Sequence, residues 1–166
     1  MTRFTRSDWG ASPGDPGPGR LDPRQVRGIA LHWPAMTRPL RDVEQIKATM
    51  RAWQILHMED RGWSDFAYQE AIDQHGNVYV GRGLRVQSGA NGDETTNERY
   101  GALLLILAPG EEPTPEMVKA VKRRIRRHRE LFPRSREIVG HGDIRPGGTE
   151  CPGPAVRKLI RSGVLS

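Results

Sequence analysis

The chain has 166 residues, 36% of them apolar and 28% charged, which suits one domain with its own core and excludes wholesale disorder. Its formal charge of +6, from 22 Arg and 4 Lys against 20 acidic residues, points to an anionic partner: nucleic acid, membrane headgroups or a phosphate-rich wall polymer. The one cysteine, Cys151, excludes an intrachain disulfide, no apolar run approaches the ~18 residues of a membrane span, and Met1 to Trp9 carry no apolar core of a Sec-type signal.

Residues 1–26 read as an N-terminal arm packed on the core, with the Pro- and Gly-rich stretch 11–24 extended as a strap. Gly28 to His32 alternates and predicts a short strand that delivers His32 at its C-terminal end. Asp42 and Gln45 form an N-cap pair, and Val43, Ile46, Met50, Trp53 and His57 recur at helical spacing, so a helix is expected over 43–57. A strand from Phe66 to Asp73, a turn at His75-Gly76-Asn77 and a strand over Val78 to Val80 follow. Residues 84–99 lack periodicity and read as a long loop, a length that in a compact domain usually serves function. Gly101 to Ala108 is a solid apolar run, as in a central strand buried on both faces. Thr114-Pro115 starts a helix that runs to Pro133 with Met117, Val121, Ile125, His128 and Phe132 inward and seven cations outward. A strand over Glu137 to Gly140 delivers His141, and a last helix follows the loop 142–154. Strand–helix alternation predicts a single α/β domain over 1–166, a central mixed β-sheet flanked by helices.

His32 and His141 lie at strand ends, and Cys151 follows in a Cys-Pro-Gly turn. Imidazole and thiolate are preferred zinc ligands, and three protein ligands leave the open position of a catalytic site. Taken alone the signal is weak, because a lone cysteine is more often a small buried hydrophobe. His57 and His128 sit at core-facing positions and are read as satisfied core histidines.

The neighbours add to this. Trp9-Gly10-Ala11, Gln54-x-x-His57-Met58, Gly62-Trp63-Ser64-Asp65-Phe66-Ala67-Tyr68, Gly76 through Gly83, and Gly140-His141-x-Asp143 through Cys151-Pro152-Gly153 occur in order. From about Phe4 to Ile160 the chain resembles the type 2 N-acetylmuramoyl-L-alanine amidases and peptidoglycan recognition proteins. The resemblance implies their fold and hydrolysis of the amide between N-acetylmuramic acid and L-alanine of the stem peptide. It also implies one Zn²⁺ per chain on His32, His141 and Cys151, with catalytic roles for Tyr68, as a donor to the oxyanion, and for Thr149. Trp33, Trp63, Arg82, Asn91 and Asn97 are the expected substrate contacts.

Four departures stand out. Trp33-Pro34 follows His32 where relatives often carry a second His or small polar residues. Glu70 occupies a usually apolar strand position on Tyr68's expected face, so it is a candidate general base, with a solvated strand end as the plainer reading. Gly147-Gly148 lengthens the loop before Cys151. Asn91 stands where relatives frequently have His.

Missing secretion and anchor signals predict a protein made in the cytoplasm that acts on the wall after release, like a phage endolysin, as a monomer. Its partners are peptidoglycan and anionic wall polymers drawn to the basic surface, with no specific nucleic acid. The alternatives are a non-catalytic peptidoglycan-binding module, against which Cys151 speaks, and a nucleic-acid binder using the Arg-rich helix, whose charged face lacks aromatic interleaving.

Overall fold

The computed structural model describes residues 1–14, 19–34 and 36–166. Apolar alternation and capping set the elements. In chain order the strands are Arg3–Phe4 (β1), Gly28–His32 (β2), Glu70–Ile72 (β3), Val78–Val80 (β4), Tyr100–Leu105 (β5) and Glu137–Gly140 (β6). The helices are Val43–Ile55 (α1), Glu94–Arg99 (α2), Pro115–Leu131 (α3), His141–Ile144 (α4) and Gly153–Arg161 (α5). The sheet order is β1-β4-β3-β5-β2-β6; β3 and β4 pair antiparallel and every other neighbouring pair is parallel. The expected single domain with a mixed sheet flanked by helices is what forms.

Alternation along β5 divides the core. Leu103 and Leu105 face α3 and α5, packing with Ile29, Leu31, Met117, Val121, Ile125 and Val156. Leu104 and Ile106 face α1, packing with Trp9, Ile46, Met50, Phe66 and Tyr79. The Asp42 carboxylate accepts the Gln45 N–H at 2.8 Å and starts α1; the Thr114 hydroxyl accepts the Met117 N–H at 3.2 Å and, with Pro115 at the first position, starts α3.

Several boundaries differ from expectation. The strand expected from Phe66 shrinks to β3, because the Gln69 carbonyl accepts from both Gly81 and Gly83 while the Tyr68 carbonyl accepts from Arg82. That doubled pairing breaks the ladder, so residues 66–69 do not follow strand alternation. The helix expected to His57 stops at Ile55 and continues as one wider π turn, Leu56–Asp60. Inside the expected loop 84–99, Asp93 caps α2 by accepting the Thr96 N–H at 2.7 Å; six residues without an apolar stripe leave no periodic signal. In the loop expected over 142–154, residues 141–144 form α4. The arm is not uniformly extended: it supplies β1 and a 3₁₀ turn at Ser7–Trp9, and Trp9 is fully buried with its indole N–H donating to the Val80 carbonyl at 2.8 Å. Positions 15–18 of the expected strap lie outside the described residues. No helix among the described residues is long and apolar enough to cross a membrane.

Candidate metal centre and groove

Parallel pairing brings the two histidines together. Leu31 on β2 is in register with Gly140 on β6, so the next residue of each strand, His32 and His141, leaves the same sheet edge. Their ring centroids are 4.4 Å apart. Cys151 reaches them on a turn held by main-chain contacts: the Gly142 N–H donates to the Cys151 carbonyl at 2.8 Å, and Arg157 of α5 donates to the carbonyls of Cys151 (3.0 Å) and Thr149 (2.9 Å). Sγ of Cys151 lies 3.8 Å from His32 Nδ1, and one donor atom from each of the three residues lies within 4.8 Å of the others.

The hydrogen bonds of Asn91 decide the tautomer of His32. The Asn91 amide N–H₂ faces the carbonyls of Tyr100 (2.8 Å) and Thr96 (3.3 Å), which only accept. Its oxygen therefore points to His32 Nε2, 2.9 Å away, and that nitrogen must donate. Nδ1 is left unprotonated, with its lone pair on the Cys151 side. Burial, with the nearby His141 as a lesser cause, pushes the His32 pKa down to about 3, so the ring is neutral at physiological pH.

The donor set fits a tetrahedral ion. Zinc bonds of about 2.3 Å to sulfur and about 2.0 Å to nitrogen imply donor separations of roughly 3.3–3.6 Å, slightly tighter than the 3.8 Å present. Nε2 of His141 is buried with no hydrogen-bond partner among the described residues, an expense that a metal bond removes. Burial, aided by Arg145, holds the His141 pKa down to about 4. Burial pushes the Cys151 thiol up to about 11, so metal binding there displaces a proton.

A groove of about 350 Å³ opens beside this cluster, lined among others by Trp53, His57, Trp63, Tyr68, His141 and Arg145. The Tyr68 ring stands edge-on to His32 at 5.2 Å. Burial, chiefly, and the Cys151 sulfur raise its phenol pKa well above the usual value, so the hydroxyl stays a donor. The expected core histidine His57 accepts the Ala67 N–H on Nδ1 at 3.1 Å and packs on Trp63 and Tyr68, fixing the segment that carries the tyrosine.

Other expected site residues are placed differently. Glu70 is not brought to the cluster. It is in register with Leu103 and so faces α3, whereas His32 is in register with Leu104 and faces α1. Its fully buried carboxylate is held by Arg124 at 2.6 and 2.8 Å, so neither the general base nor the solvated strand end describes it. Arg82 spends its donors on the carbonyls of Phe66, Gln87 and Asp65 and does not line the groove. Asn91 is fully buried and orients His32, and Asn97 holds the Asn91 N–H at 2.9 Å; both act behind the cluster, not on the groove surface.

The Trp33 ring backs the cysteine turn: a Cβ on Gly153, whose φ is +79°, would fall 2.6 Å from that ring. The Thr149 hydroxyl accepts the Cys151 N–H at 3.4 Å, and the residue is outside the groove lining. Trp63 does line the groove. Sequence reasoning passed over Arg61 and Arg145, which also line it, because single cations in polar turns carry no pattern.

The profile of the family described as N-acetylmuramoyl-L-alanine amidase (Amidase_2) matches residues 22–154. Peptidoglycan-recognition protein LB of Drosophila melanogaster is 29% identical over 159 residues, covering 90% of this chain and 63% of that protein, so the chain spans under two thirds of this relative's length. The solved structure of wild-type Drosophila PGRP-LB superposes with a TM-score of 0.77 at 27% identity, covering 96% and 92% of the two chains. Drosophila PGRP-SD shares the fold, with a TM-score of 0.82 at 21% identity over 97% and 94% of the chains.

Proposed function

Because the chain belongs to the N-acetylmuramoyl-L-alanine amidase family, we propose that it hydrolyses the amide joining N-acetylmuramic acid to L-alanine in bacterial peptidoglycan, with one zinc ion held by His32, His141 and Cys151. The observation that carries this reading is the donor cluster itself: two neutral imidazoles and a thiol within 4.8 Å, one nitrogen of which is buried without a partner among the described residues. When bound, zinc supplies Lewis-acid polarisation of the scissile carbonyl and an activated water at neutral pH.

The side chains supply the rest. The protonated Tyr68 hydroxyl donates to the oxygen of the scissile carbonyl as negative charge gathers there. Asn91 fixes the His32 ring so that Nδ1 faces the cluster. Thr149 acts through the Cys151 turn as a positioning residue. Trp63, with the Arg61 guanidinium 5.2 Å from its ring, lines the groove where a sugar can lie, and Arg61 and Arg145 offer guanidinium groups to substrate carboxylates. We place its action at the bacterial wall, in the manner of a phage endolysin; the +6 charge supports attraction to anionic envelopes.

Mass spectrometry of purified sacculi digested with and without a chelator tests the reading. The expected products are intact glycan strands and free stem peptides beginning in L-alanine, formed only without chelator and restored by added zinc. Sacculi bound but never cut would make the protein a non-catalytic peptidoglycan binder.

Asn91 provides a second check. Asn91→Leu removes the acceptor that fixes the His32 tautomer and is expected to weaken zinc affinity by about 10–100-fold, as loss of a partner to a ligating histidine does. Asn91→Asp keeps that acceptor and should lose less. Competition titration with a chromophoric chelator reads both, and equal affinities would show that Asn91 does not set the ligand.

A further inference from the structure

Glu70 presents a problem that the proposed reaction leaves untouched. A carboxylate with no exposure, on a strand facing α3, costs free energy even when paired, and replacing both members of such a pair by apolar residues is often neutral for stability. What the pair does provide is orientation. Glu70 takes Nε and Nη2 of Arg124 at 2.6 and 2.8 Å, locking the plane of the guanidinium, while Nη1 has no partner among the described residues. Arg3 of β1 comes to 3.7 Å from the same carboxylate.

These groups line a concavity of about 270 Å³ together with Arg82, Arg85 and Arg127. Five arginine side chains line it around one carboxylate; the Arg82 guanidinium is held by main-chain carbonyls, which leaves Arg3, Arg85, Arg124 and Arg127 to meet a ligand. Arg127 also meets Glu130, but in an exposed pair that an incoming anion can displace at little cost. The remaining lining is aliphatic, including Leu84, Val86 and Leu131. A concavity in which cations outnumber the one carboxylate focuses a positive field, and a fixed guanidinium fork such as that of Arg124 matches phosphate oxygens.

We infer that this arginine-lined basin, on the sheet face opposite His32, His141 and Cys151, binds a phosphodiester group of a linear polyol-phosphate polymer. Three features favour that occupant over nucleic acid: the basin has room for one phosphate with a small alcohol, its uncharged lining is aliphatic, and among the described residues no aromatic side chain lines it to stack a base. Binding here stands apart from amide hydrolysis and does not depend on the metal reading. Arg124 is unsuitable for testing it, since its removal strands a buried carboxylate; Arg85 and Arg127 are exposed and outside the groove.

The test is calorimetric titration of the full chain with a synthetic glycerol-phosphate oligomer at low and moderate salt. Wild type is expected to bind, more weakly as salt rises. The double variant Arg85→Gln/Arg127→Gln should lose roughly tenfold or more in affinity, the scale of one or two charge-assisted hydrogen bonds. Circular dichroism and cleavage of a small soluble muropeptide should not change. Lys119→Gln/Lys122→Gln removes the same charge from exposed positions of α3 outside the basin and should bind nearly as wild type. Equal losses in the two double variants would reduce the effect to net charge and overturn the site. So would failure of wild type to bind the oligomer, or a duplex DNA of equal charge binding as tightly with the same dependence on Arg85 and Arg127.

Discussion

Cys151→Ala is expected to purify without bound zinc, to keep its circular dichroism spectrum, and to release no detectable stem peptide from sacculi. The sulfur is one of three donors in the cluster, and two imidazoles alone leave a divalent ion with too few protein bonds to survive dilution. The fold should persist, because the turn around Cys151 is held by Gly142 and Arg157 through carbonyl groups and not by the thiol. His141→Ala should behave alike, with the difference that it removes a buried nitrogen lacking a partner, so the metal-free variant loses no hydrogen bond of Nε2. Metal content by plasma mass spectrometry, set beside product release, decides the matter. Full turnover by metal-free Cys151→Ala would remove zinc from the reaction altogether.

Tyr68→Phe should retain its zinc and lose about 10²–10³ in kcat with little change in KM, the scale of one oxyanion donor of roughly 3–4 kcal/mol. The ring that stands against His32 and packs on Phe66 remains in the variant, so only the hydroxyl is tested. Because burial raises the phenol pKa, the proposed hydrolysis by the wild-type protein should show no loss of rate from tyrosine ionisation through the neutral and mildly alkaline range. Single-turnover rates on a soluble muropeptide separate this effect from product release. A wild-type rate in the phenylalanine variant would assign the oxyanion to another donor.

Both predictions rest on residues that short-range patterns and the family motifs make legible in the chain. His32 could be placed at a strand end because Ile29 and Leu31 alternate with Ala30, and His141 because a short strand precedes it. The N-caps at Asp42 and Thr114 were legible because a cap is a contact over three residues, and the inward face of α3 because its apolar spacing is helical. The six-residue α2 was not legible, since its stabilisation lies in Asp93 and Thr96 with no apolar stripe to announce it.

Two causes separate the other expected site residues from the groove. Counting in twos puts Glu70 on Tyr68's face, and the doubled hydrogen bonding at Gln69 breaks that count. Arg82, Asn91 and Asn97 lie near the groove in sequence, but their polar atoms are claimed by carbonyls and amides of other segments.

Strand–helix alternation, the helix starts, the ligand types and the family resemblance are all legible along the chain, since each depends on neighbours within a few positions or on motifs in order. Which nitrogen of His32 is free, that Arg124 and not a substrate claims Glu70, and that five arginine side chains line one basin emerge when the chain is folded. Those outcomes depend on which distant lone pair or N–H fills each buried bonding position, and local spacing carries no record of that.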